Sequence, residues 1–446
     1  MKKAALDQLV RSVKGAVLSP ASPGFAAAST IFNVVHATRP AAIVQCADDA
    51  DVQTAVKFAR EHELPLTTRG GGNAITGHSL VPGGLVIDLR ARCEAFVQDG
   101  VLTAGGGATW GEVLVETVAH GVTTGAFDRR VGVGGFTLGA GFGATTRLLG
   151  LAPDTLVGAD VVTAAGERLV ASATEHPDLF WALRGAGANF GVVTRFRFRL
   201  SQVPPLVFGQ LVFPLDDGAA RVLRVYRDFV PGLPRETTVY GTVEVEPGRR
   251  ELKFLVFHFG ELADAERALA PLLELGPTTS GFDAVPYAAV HQENRGTFPA
   301  NHGHAWRAHY FRALTDEVID AVLAHLEQMN GFQEWVVFEH LGGAVGDLKP
   351  KDTAFAHRAA QFGFVTTLKW PAAQRKPARA LELQESLHAK LRRHSLGSYV
   401  NYIPRDYTRT DVELAYGANL PRLRKLKAKY DPDNVFQQNI NIRPAR

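Results

Sequence analysis

The stretch TTRGGGNAITGHSLVPGGLVIDL, residues 67–89, places a glycine triplet directly after a short strand-like segment and ends in a second apolar strand. Two further glycine clusters follow, VGVGGFTLGAGFG at 131–143 and RGAGANFGVVT at 184–194. Glycine lets backbone amides approach phosphate oxygens closely, and successive N–H groups can form a nest that binds anions. Three such clusters in one region therefore predict a large phosphorylated cofactor.

A Rossmann dinucleotide site is one alternative for the second cluster. Gly139, Gly141 and Ala144 fit the spacing GxGxxG/A, and Asp160 lies near the position of a ribose-binding acid. However, glycine-rich residues rather than a clean strand precede the motif, and TTRLLGLAPD after it is too short for the helix of a βαβ unit. The motif is therefore weak support for nicotinamide binding.

Apolar patterning predicts two regions with different arrangements of strands and helices. Before about residue 205, short strands alternate with amphipathic helices around the glycine clusters. Beyond it, β-rich segments such as LVFGQLVF (206–213) and ELKFLVFHF (251–259) alternate with helical segments such as 315–329. This pattern predicts an α+β fold in which the second region is an antiparallel sheet covered by helices on one face.

The charge of the chain excludes several classes of partner. Its 446 residues carry 48 basic and 45 acidic side chains, a net charge of +3, without long blocks of like charge. Nucleic-acid or membrane binding through bulk charge is not expected. Cys46 and Cys93 lie in no CxxC or metal-like cluster. No run of apolar residues resembles a spanning helix or a signal peptide, so a cytoplasmic location is expected.

Taken in order, these segments resemble the berberine-bridge-enzyme-like branch of the vanillyl-alcohol-oxidase superfamily. Residues 67–89 and 131–143 resemble its two flavin loops, and ADVVTAAG with DLFWALRGAGANFGVVTRF resembles the end of its FAD domain. YVNY (399–402) and YDPDNVFQQNINIRP (430–444) resemble its C-terminal module. The resemblance implies a PCMH-type FAD-binding domain formed by both chain ends around an inserted substrate domain.

The resemblance also implies domain bounds and cofactor residues. Residues 1–205 would form the FAD-binding domain, 206–395 the substrate-binding domain, and 396–446 the segment that completes the FAD domain. The positions that match the cofactor site of the family are Arg69, Gly70, Gly71, Gly72, Asn73, Gly77, His78, Ser79, Val131, Gly132, Val133, Gly135, Gly139, Gly141, Val161, Gly191, Val193, Asn439 and Asn441.

The chain departs from the family pattern where flavin is usually attached. Many relatives have a histidine after the glycine triplet, bonded to the flavin 8-methyl carbon, and some also use a cysteine in the second loop. Here these positions are Asn73 and Asp128. A carboxamide nitrogen is a poor nucleophile because its lone pair is delocalised. We therefore expect non-covalent FAD; His78, five residues beyond Asn73, is a less favoured nucleophile than a phosphate contact or a loop-packing residue.

Tyr402 and Tyr399 match the positions where the family places its catalytic base, and Tyr402 is the first choice. A free phenol has a pKa of about 10, so Tyr402 would need a nearby positive charge to act as a base at neutral pH. Without the resemblance, a pair of tyrosines on a strand is more often explained by packing. Replacement of Tyr402 by phenylalanine is expected to lower turnover and to leave FAD bound.

The middle of the chain is less informative. His291, His302, His304 and His309 are dense enough to suggest a metal site, but their spacing lacks HExxH or a cysteine partner. Lining of a pocket or loop, and simple surface positions, remain alternatives. The segment 339–358 resembles a strand pair of the family's substrate domain, in which Glu339, His357 and Arg358 would point towards the pocket.

The resulting prediction is an FAD-dependent oxidase or dehydrogenase that acts on a small organic molecule, such as a tailoring enzyme of secondary metabolism, with molecular oxygen as acceptor. One rival function keeps FAD as a structural group in a non-redox cyclase. Another is a binding protein that confers resistance to a toxic small molecule. The substrate and the oligomeric state are not specified by the sequence.

Overall fold

A computed structural model describes residues 2–246, 249–293, 298–299, 301–329 and 331–445. Within these residues the strands form three sheets. The helices and strands before residue 205 are α1 (Lys3–Ser12), β1 (Ala16–Leu18), α2 (Phe25–Ala28), β2 (Ala42–Gln45), α3 (Asp49–Glu61), β3 (Leu66–Arg69), β4 (Leu85–Asp88), β5 (Ala95–Gln98), β6 (Val101–Gly105), α4 (Trp110–Thr117), α5 (Val133–Leu138), α6 (Thr146–Leu149), α7 (Ala152–Thr155), β7 (Leu156–Val162), β8 (Arg168–Ser172), α8 (Pro177–Leu183) and β9 (Val192–Arg199).

Two of the sheets belong to this first region. The four-stranded sheet has the order β1-β2-β4-β3, in which β2, β4 and β3 are parallel, and the five-stranded antiparallel sheet has the order β5-β6-β9-β7-β8. Local sequence explains the helices that cover them. Asp48 caps α3 by accepting from the backbone N–H of Asp51 at 3.0 Å, and Thr109 and Glu112 form a capping box on α4.

The second region supplies the large sheet. Its elements are β10 (Leu206–Pro214), α9 (Ala219–Phe229), β11 (Thr237–Glu246), β12 (Arg249–Phe259), α10 (Leu262–Ala268), α11 (Ala270–Leu273), β13 (Thr279–Val285), β14 (His302–Phe311), α12 (Asp316–Gln328), β15 (Glu334–His340), β16 (Phe362–Pro371) and α13 (Ala378–Leu391). The strands form a seven-stranded antiparallel sheet of order β13-β10-β12-β11-β15-β16-β14.

The two faces of this sheet contact different parts of the protein, because neighbouring residues of a strand point to opposite faces. On β15, Val336 and Phe338 pack with residues of α9, α12 and α13. Val337 instead belongs to the core that contains Trp110 and Phe142 of the first region. We call the face turned towards the first region the inner face.

The C-terminal segment returns to the first region. It contains α14 (Arg409–Tyr416) and α15 (Leu420–Tyr430). Asn189, in the third glycine cluster, donates to the hydroxyl of Tyr416 at 3.2 Å and to the carbonyl of Ile440 at 3.1 Å, and it accepts from the N–H of Ile442 at 2.9 Å. The buried ammonium of Lys427 donates to the Asn189 carbonyl at 2.7 Å.

The predicted α+β class and the antiparallel sheet with helices on one face are confirmed. The division into three segments at residues 205 and 395 stays a prediction. None of the helices in the described ranges has the length and apolar character needed to cross a membrane.

Candidate active site

The first loop, residues 69–79, is anchored by Arg69 at the end of β3. The guanidinium of Arg69 is buried and donates to the carbonyls of Ala28 and Thr30, while its Nε finds no partner among the described residues. Burial lowers the pKa of Arg69 to about 10. Gly72, at φ +75°, packs against this guanidinium in a conformation that favours glycine. Arg69 thus positions the loop.

The glycine triplet leaves backbone donors free. Among the described residues, the N–H groups of Gly70, Gly71, Gly72 and Asn73 have no hydrogen-bond acceptor. A run of unpaired N–H groups in a turn is an anion-binding nest. A second triplet that sequence analysis did not single out, Gly105–Gly107 after β6, lies beside it: a Cβ on Gly70 would be 3.0 Å from the Gly106 carbonyl. The same signal, a glycine triplet after a strand, could have revealed it.

The second loop, residues 128–143, touches the first. A Cβ on Gly71 would lie 2.6 Å from the backbone nitrogen of Gly132, and a Cβ on Gly132 would lie 2.5 Å from that of Gly71. Only glycine fits this approach. The carboxamide of Asn73 satisfies its hydrogen bonds when its nitrogen, rather than its oxygen, faces the loop carbonyls. In that orientation the nitrogen donates to the carbonyl of Arg130 at 3.1 Å. Asp128 pairs with the Arg130 guanidinium at 2.6 Å.

The other predicted cofactor residues fall into two further places. Gly77, His78 and Ser79 continue the first loop beside His36 and Arg405, and burial, with the charges of Arg405 and His36, lowers the pKa of His78 to about 4. Val161, Gly191 and Val193 lie deeper in the first region, whereas Val131 and Val133 flank Gly132 on the second loop. A Cβ on Gly191 would lie 2.6 Å from the Val161 side chain.

Several buried polar atoms on the predicted cofactor segments have no partner in the described residues. They are the side-chain oxygens of Asn439, Asn441, Thr137 and Thr194. Such atoms cost about 1–3 kcal/mol each unless something satisfies them. A flavin dinucleotide has hydrogen-bonding groups along its whole length, so these atoms and the loop nest fit FAD.

Tyr399 closes onto the second loop. Its hydroxyl oxygen accepts from the N–H of Gly141 at 3.1 Å and from the side chain of Asn401 at 2.9 Å. Asn401 also donates to the carbonyl of Gly135 at 3.1 Å, and it fills the space that a Cβ on Gly139 would need. The YVNY segment therefore meets predicted cofactor residues, through an asparagine that sequence analysis did not select.

Tyr402 lies among aromatic rings rather than cations. It is half-buried, and its ring centre is 4.5 Å from that of Tyr399 and 4.8 Å from that of Trp306. Burial raises the pKa of Tyr402 well above its usual value, and the charge of Glu339 raises it further. The acidic group that acts on Tyr402 therefore works against the ionised phenol, whereas a base at neutral pH would need a positive charge nearby. A base at this position needs a proton acceptor next to it.

Glu339, on the inner face of the sheet, is the acidic group whose charge acts on Tyr402. It is paired in register with Gly363 on β16, and a Cβ on Gly363 would overlap its carboxylate. Burial raises the pKa of Glu339 well above its usual value. Glu339 takes part in no ion pair among the described residues. Burial raises the pKa of Tyr310 and Tyr399, and the charge of Glu339 raises each further. Glu339 therefore lies within electrostatic range of several phenols.

Two tryptophans extend this face. Trp306 on β14 and Trp335 on β15 are both in register with Thr367 on β16, and each ring packs against Phe298 with centres 5.4 and 5.6 Å apart. Both indole N–H groups are buried and lack a partner among the described residues. Aromatic faces with free donors are typical of sites for small organic molecules.

The histidines separate instead of forming one cluster. His304 stacks on Phe32 with ring centres 4.4 Å apart, whereas His309 stacks on His388 beneath the helices, with centres 5.0 Å apart. His291 is buried against Tyr287, and His302 is half-buried at the start of β14. No group of three metal-binding side chains occurs in the part of the chain that is described.

His357 and Arg358 were predicted to point towards the pocket, but their contacts are structural. The Nε2 of His357 is 3.0 Å from the carbonyl of Ala415. The guanidinium of Arg358 pairs with Asp154 at 2.6 Å, and both side chains are buried. Of the three side chains predicted on this segment, Glu339 is the one whose charge acts on Tyr402.

Comparison with known proteins agrees with this geometry. The FAD binding domain family matches residues 40–172, and the family described as berberine and berberine-like matches residues 398–443. (R)-6-hydroxynicotine oxidase from Paenarthrobacter nicotinovorans is 30% identical over 97% of this chain and 97% of its own length.

Solved structures match over nearly the whole chain. A chitooligosaccharide oxidase superposes with a TM-score of 0.90 at 25% identity, covering 99% of this chain and all of the other. A glucooligosaccharide oxidase from Acremonium strictum, which carries a 6-S-cysteinyl, 8α-N1-histidyl FAD, has a TM-score of 0.89 at 24% identity and covers 99% of each chain.

Proposed function

This chain belongs to the berberine-bridge-enzyme-like family of FAD-linked oxidoreductases, which act on small organic molecules, and we propose that it performs its oxidation with FAD held without a covalent bond. The observation that carries this proposal is a pair of features of the candidate site. A nest of free backbone N–H groups lies on the first loop, and Tyr402 with Glu339 lies where the C-terminal segment meets the inner face.

FAD, when bound, accepts two electrons from the substrate. The N–H groups of residues 70–73 would hold its pyrophosphate, because they form an anion nest. The free side-chain oxygens of Asn439 and Asn441 would take donors of the flavin or the ribityl chain. The buried positions Val161, Gly191 and Val193 would hold the adenosine end. The sequence-derived cofactor residues remain our assignment, with Gly106 and Asn401 added to them.

The chemistry of residues 73 and 128 supports a dissociable flavin. The carboxamide of Asn73 is a poor nucleophile, and the carboxylate of Asp128 is engaged by Arg130 at 2.6 Å. Neither side chain offers the reactive nitrogen or sulfur that a flavin link uses. FAD retention then depends on hydrogen bonds and burial, and the flavin loses the oxidising effect that alkylation of its ring brings.

Tyr402 and Glu339 would handle the proton that the substrate loses. The Tyr402 phenol is too weak an acid to be ionised at neutral pH, because burial raises its pKa. Glu339 has no cationic partner in the described residues, and in its ionised form it is a stronger base than an ordinary carboxylate, because burial raises its pKa. As the substrate proton moves to the Tyr402 oxygen, the phenol's own proton passes to Glu339. Tyr399, held by Gly141 and Asn401, would orient Tyr402.

The inner face supports a small substrate with a ring. Trp306 and Trp335 offer aromatic surface and two indole N–H donors that have no partner among the described residues. The relatives include one protein named for hydroxynicotine and one named for chitooligosaccharides, and both substrates are ring compounds. Molecular oxygen is the proposed acceptor, as the oxidase names of these relatives suggest.

Anaerobic mixing with 6-hydroxynicotine and with chitobiose tests the redox role. Bleaching of the flavin by either compound, followed by recovery of colour when oxygen is admitted, is the expected result. Product formation without bleaching would favour the structural-FAD cyclase. Binding without product or bleaching, across a wider panel of ring amines and sugars, would favour the binding protein.

A further inference from the structure

The two positions at which relatives attach flavin meet at a single residue in this chain. In the amide orientation that satisfies both its oxygen and its nitrogen, Asn73 donates to the backbone oxygen of Arg130 at 3.1 Å and to that of Gly71 at 2.9 Å. The guanidinium of Arg130 donates to both carboxylate oxygens of Asp128, at 3.0 Å from Nε and 2.6 Å from Nη2. Arg130 therefore connects the Asn73 side chain of the first loop with the Asp128 side chain of the second.

The Asp128–Arg130 pair is a strong member of this connection. Both carboxylate oxygens are engaged, and the backbone N–H of Arg130 adds a third bond to Asp128 at 2.9 Å. The side chains are 11% and 28% exposed, so water competes only weakly for them. The hydrogen bond with Asp128 raises the pKa of Arg130, which keeps its charge at any physiological pH. Bidentate pairs of this kind fix geometry as well as adding energy.

The connection extends to the backbones of both loops. Two residues beyond Arg130, Gly132 is so close to Gly71 that a Cβ on either would lie about 2.5 Å from the other's nitrogen. A shift of Arg130 therefore moves Gly132 and, through it, the N–H groups of the first loop. The segment is also fixed from behind, because Arg129 donates to the Gln292 carbonyl at 3.2 Å.

We propose that Asn73, Arg130 and Asp128 form a loop clasp that keeps the FAD site assembled and so replaces the retention that the missing covalent bonds provide in relatives. This rests on the proposed non-covalent binding of FAD. The clasp acts by pre-organisation: a site that is already ordered gives up less conformational entropy when the cofactor binds. Asn73, Arg130 and Asp128 are positioning residues in this role.

Charge-changing variants separate the clasp from simple attraction between Arg130 and the anionic cofactor. Arg130→Gln and Asp128→Asn each remove the bidentate pair, but they change the net charge in opposite directions. If the clasp operates, both raise the dissociation constant of FAD, by about tenfold given the usual strength of charge-assisted bonds. Arg129→Gln is the matched control, because it removes the same charge one residue away and should change the dissociation constant much less.

The measurement is FAD titration of apoprotein, followed by recovery or quenching of flavin fluorescence, together with thermal unfolding of each apoprotein. Tighter binding by Asp128→Asn, or equal weakening by Arg129→Gln and Arg130→Gln, would overturn the clasp in favour of bulk electrostatics. An unchanged dissociation constant in Arg130→Gln with a lower apoprotein Tm would show a purely structural pair and would also overturn it.

A double-mutant cycle between Asn73→Ala and Asp128→Asn tests the connection through Arg130. Residues in one network give non-additive changes, so the double variant should weaken FAD binding by less than the product of the single effects. Additive effects would contradict a shared clasp. Failure of the non-covalent proposal is distinguishable, because flavin would then remain with the acid-denatured chain and no apoprotein could be prepared by simple dissociation.

Discussion

The two glycine loops and the inner face of the seven-stranded sheet border the same candidate site but are built in opposite ways. The loops present backbone N–H groups. Where the two loops approach each other, at Gly71 and Gly132, the residues are glycines and have no side chains. The sheet presents large side chains from strands far apart in sequence, including Trp306, Trp335 and Glu339. The difference teaches that, in the proposed function, the cofactor is held through a backbone spacing that the side chains of the clasp maintain, whereas turnover depends on side-chain chemistry.

The largest effect is expected from Gly71→Ala, which tests the role of the backbone in the glycine loops. Gly71→Ala places a methyl group 2.6 Å from the nitrogen of Gly132, and rigid backbone cannot yield as a flexible side chain would. We expect protein purified without bound FAD. Absorbance of the flavin relative to that of the protein measures this. Gly281→Ala is the control, because nothing lies within 4 Å of its Cβ and it is on β13. Normal FAD content in Gly71→Ala would contradict the close approach.

Glu339→Gln tests the side-chain chemistry of the inner face. Loss of a proton acceptor usually lowers turnover by about 10²–10⁴-fold, and FAD should stay bound because the change leaves the loops intact. Stopped-flow reduction of the flavin by a substrate found in the anaerobic screen measures the step. A variant that reduces its flavin at the normal rate would remove Glu339 from the proposed mechanism.

The same variant should be more stable than the parent protein. The pKa of Glu339 is raised in the folded state, so stability is lost as pH rises from the ordinary carboxyl range through the folded pKa. Glutamine has no proton to lose and avoids that cost. Thermal unfolding at neutral pH should therefore give a higher Tm for Glu339→Gln. A lower Tm would show that Glu339 has a stabilising partner.

Tyr402→Phe sharpens the assignment within the side-chain half. Because the ring remains, its contacts with Tyr399 and Trp306 should persist, and FAD content should not change. We expect turnover to fall by about 10²-fold through loss of the proton relay, with the pH dependence of the remaining activity altered. The KM should change little. If Tyr399→Phe lowers turnover more than Tyr402→Phe, the roles of the two tyrosines are reversed.

The smallest effect concerns the opposite face of the sheet, which contains His309. Burial lowers the pKa of His309 to about 4, so it stays neutral in the folded protein while the unfolded chain takes up a proton below about pH 6.5. Stability is therefore lost as pH falls from 6.5 towards 4. His309→Phe should reduce the loss between pH 7 and pH 5 by about 2 kcal/mol, measured by denaturant unfolding. An unchanged pH dependence would mean that His309 is already charged in the fold.

The same contrast explains what the sequence could predict. A loop that binds through its backbone needs glycine at particular positions within a few residues, and this pattern is visible locally, as at 70–72. The inner face could not be predicted in this way, because Trp306, Trp335 and Thr367 become neighbours only through strand pairing in the folded sheet. His304 and His309 lie on opposite faces of β14. The composition of the sequence does not reveal the strand register that decides which face is turned towards the first region. The effect of the Glu339 charge on Tyr402 could not be predicted for the same reason.

Acid precipitation tests the central claim most directly, because it asks whether FAD is retained by the folded loops or by a bond. The purified yellow protein is denatured with trichloroacetic acid, and the pellet and supernatant are separated. We expect a colourless pellet, all flavin in the supernatant, and an intact-chain mass equal to that of the polypeptide alone. A yellow pellet, with a chain heavier by one flavin, would contradict it.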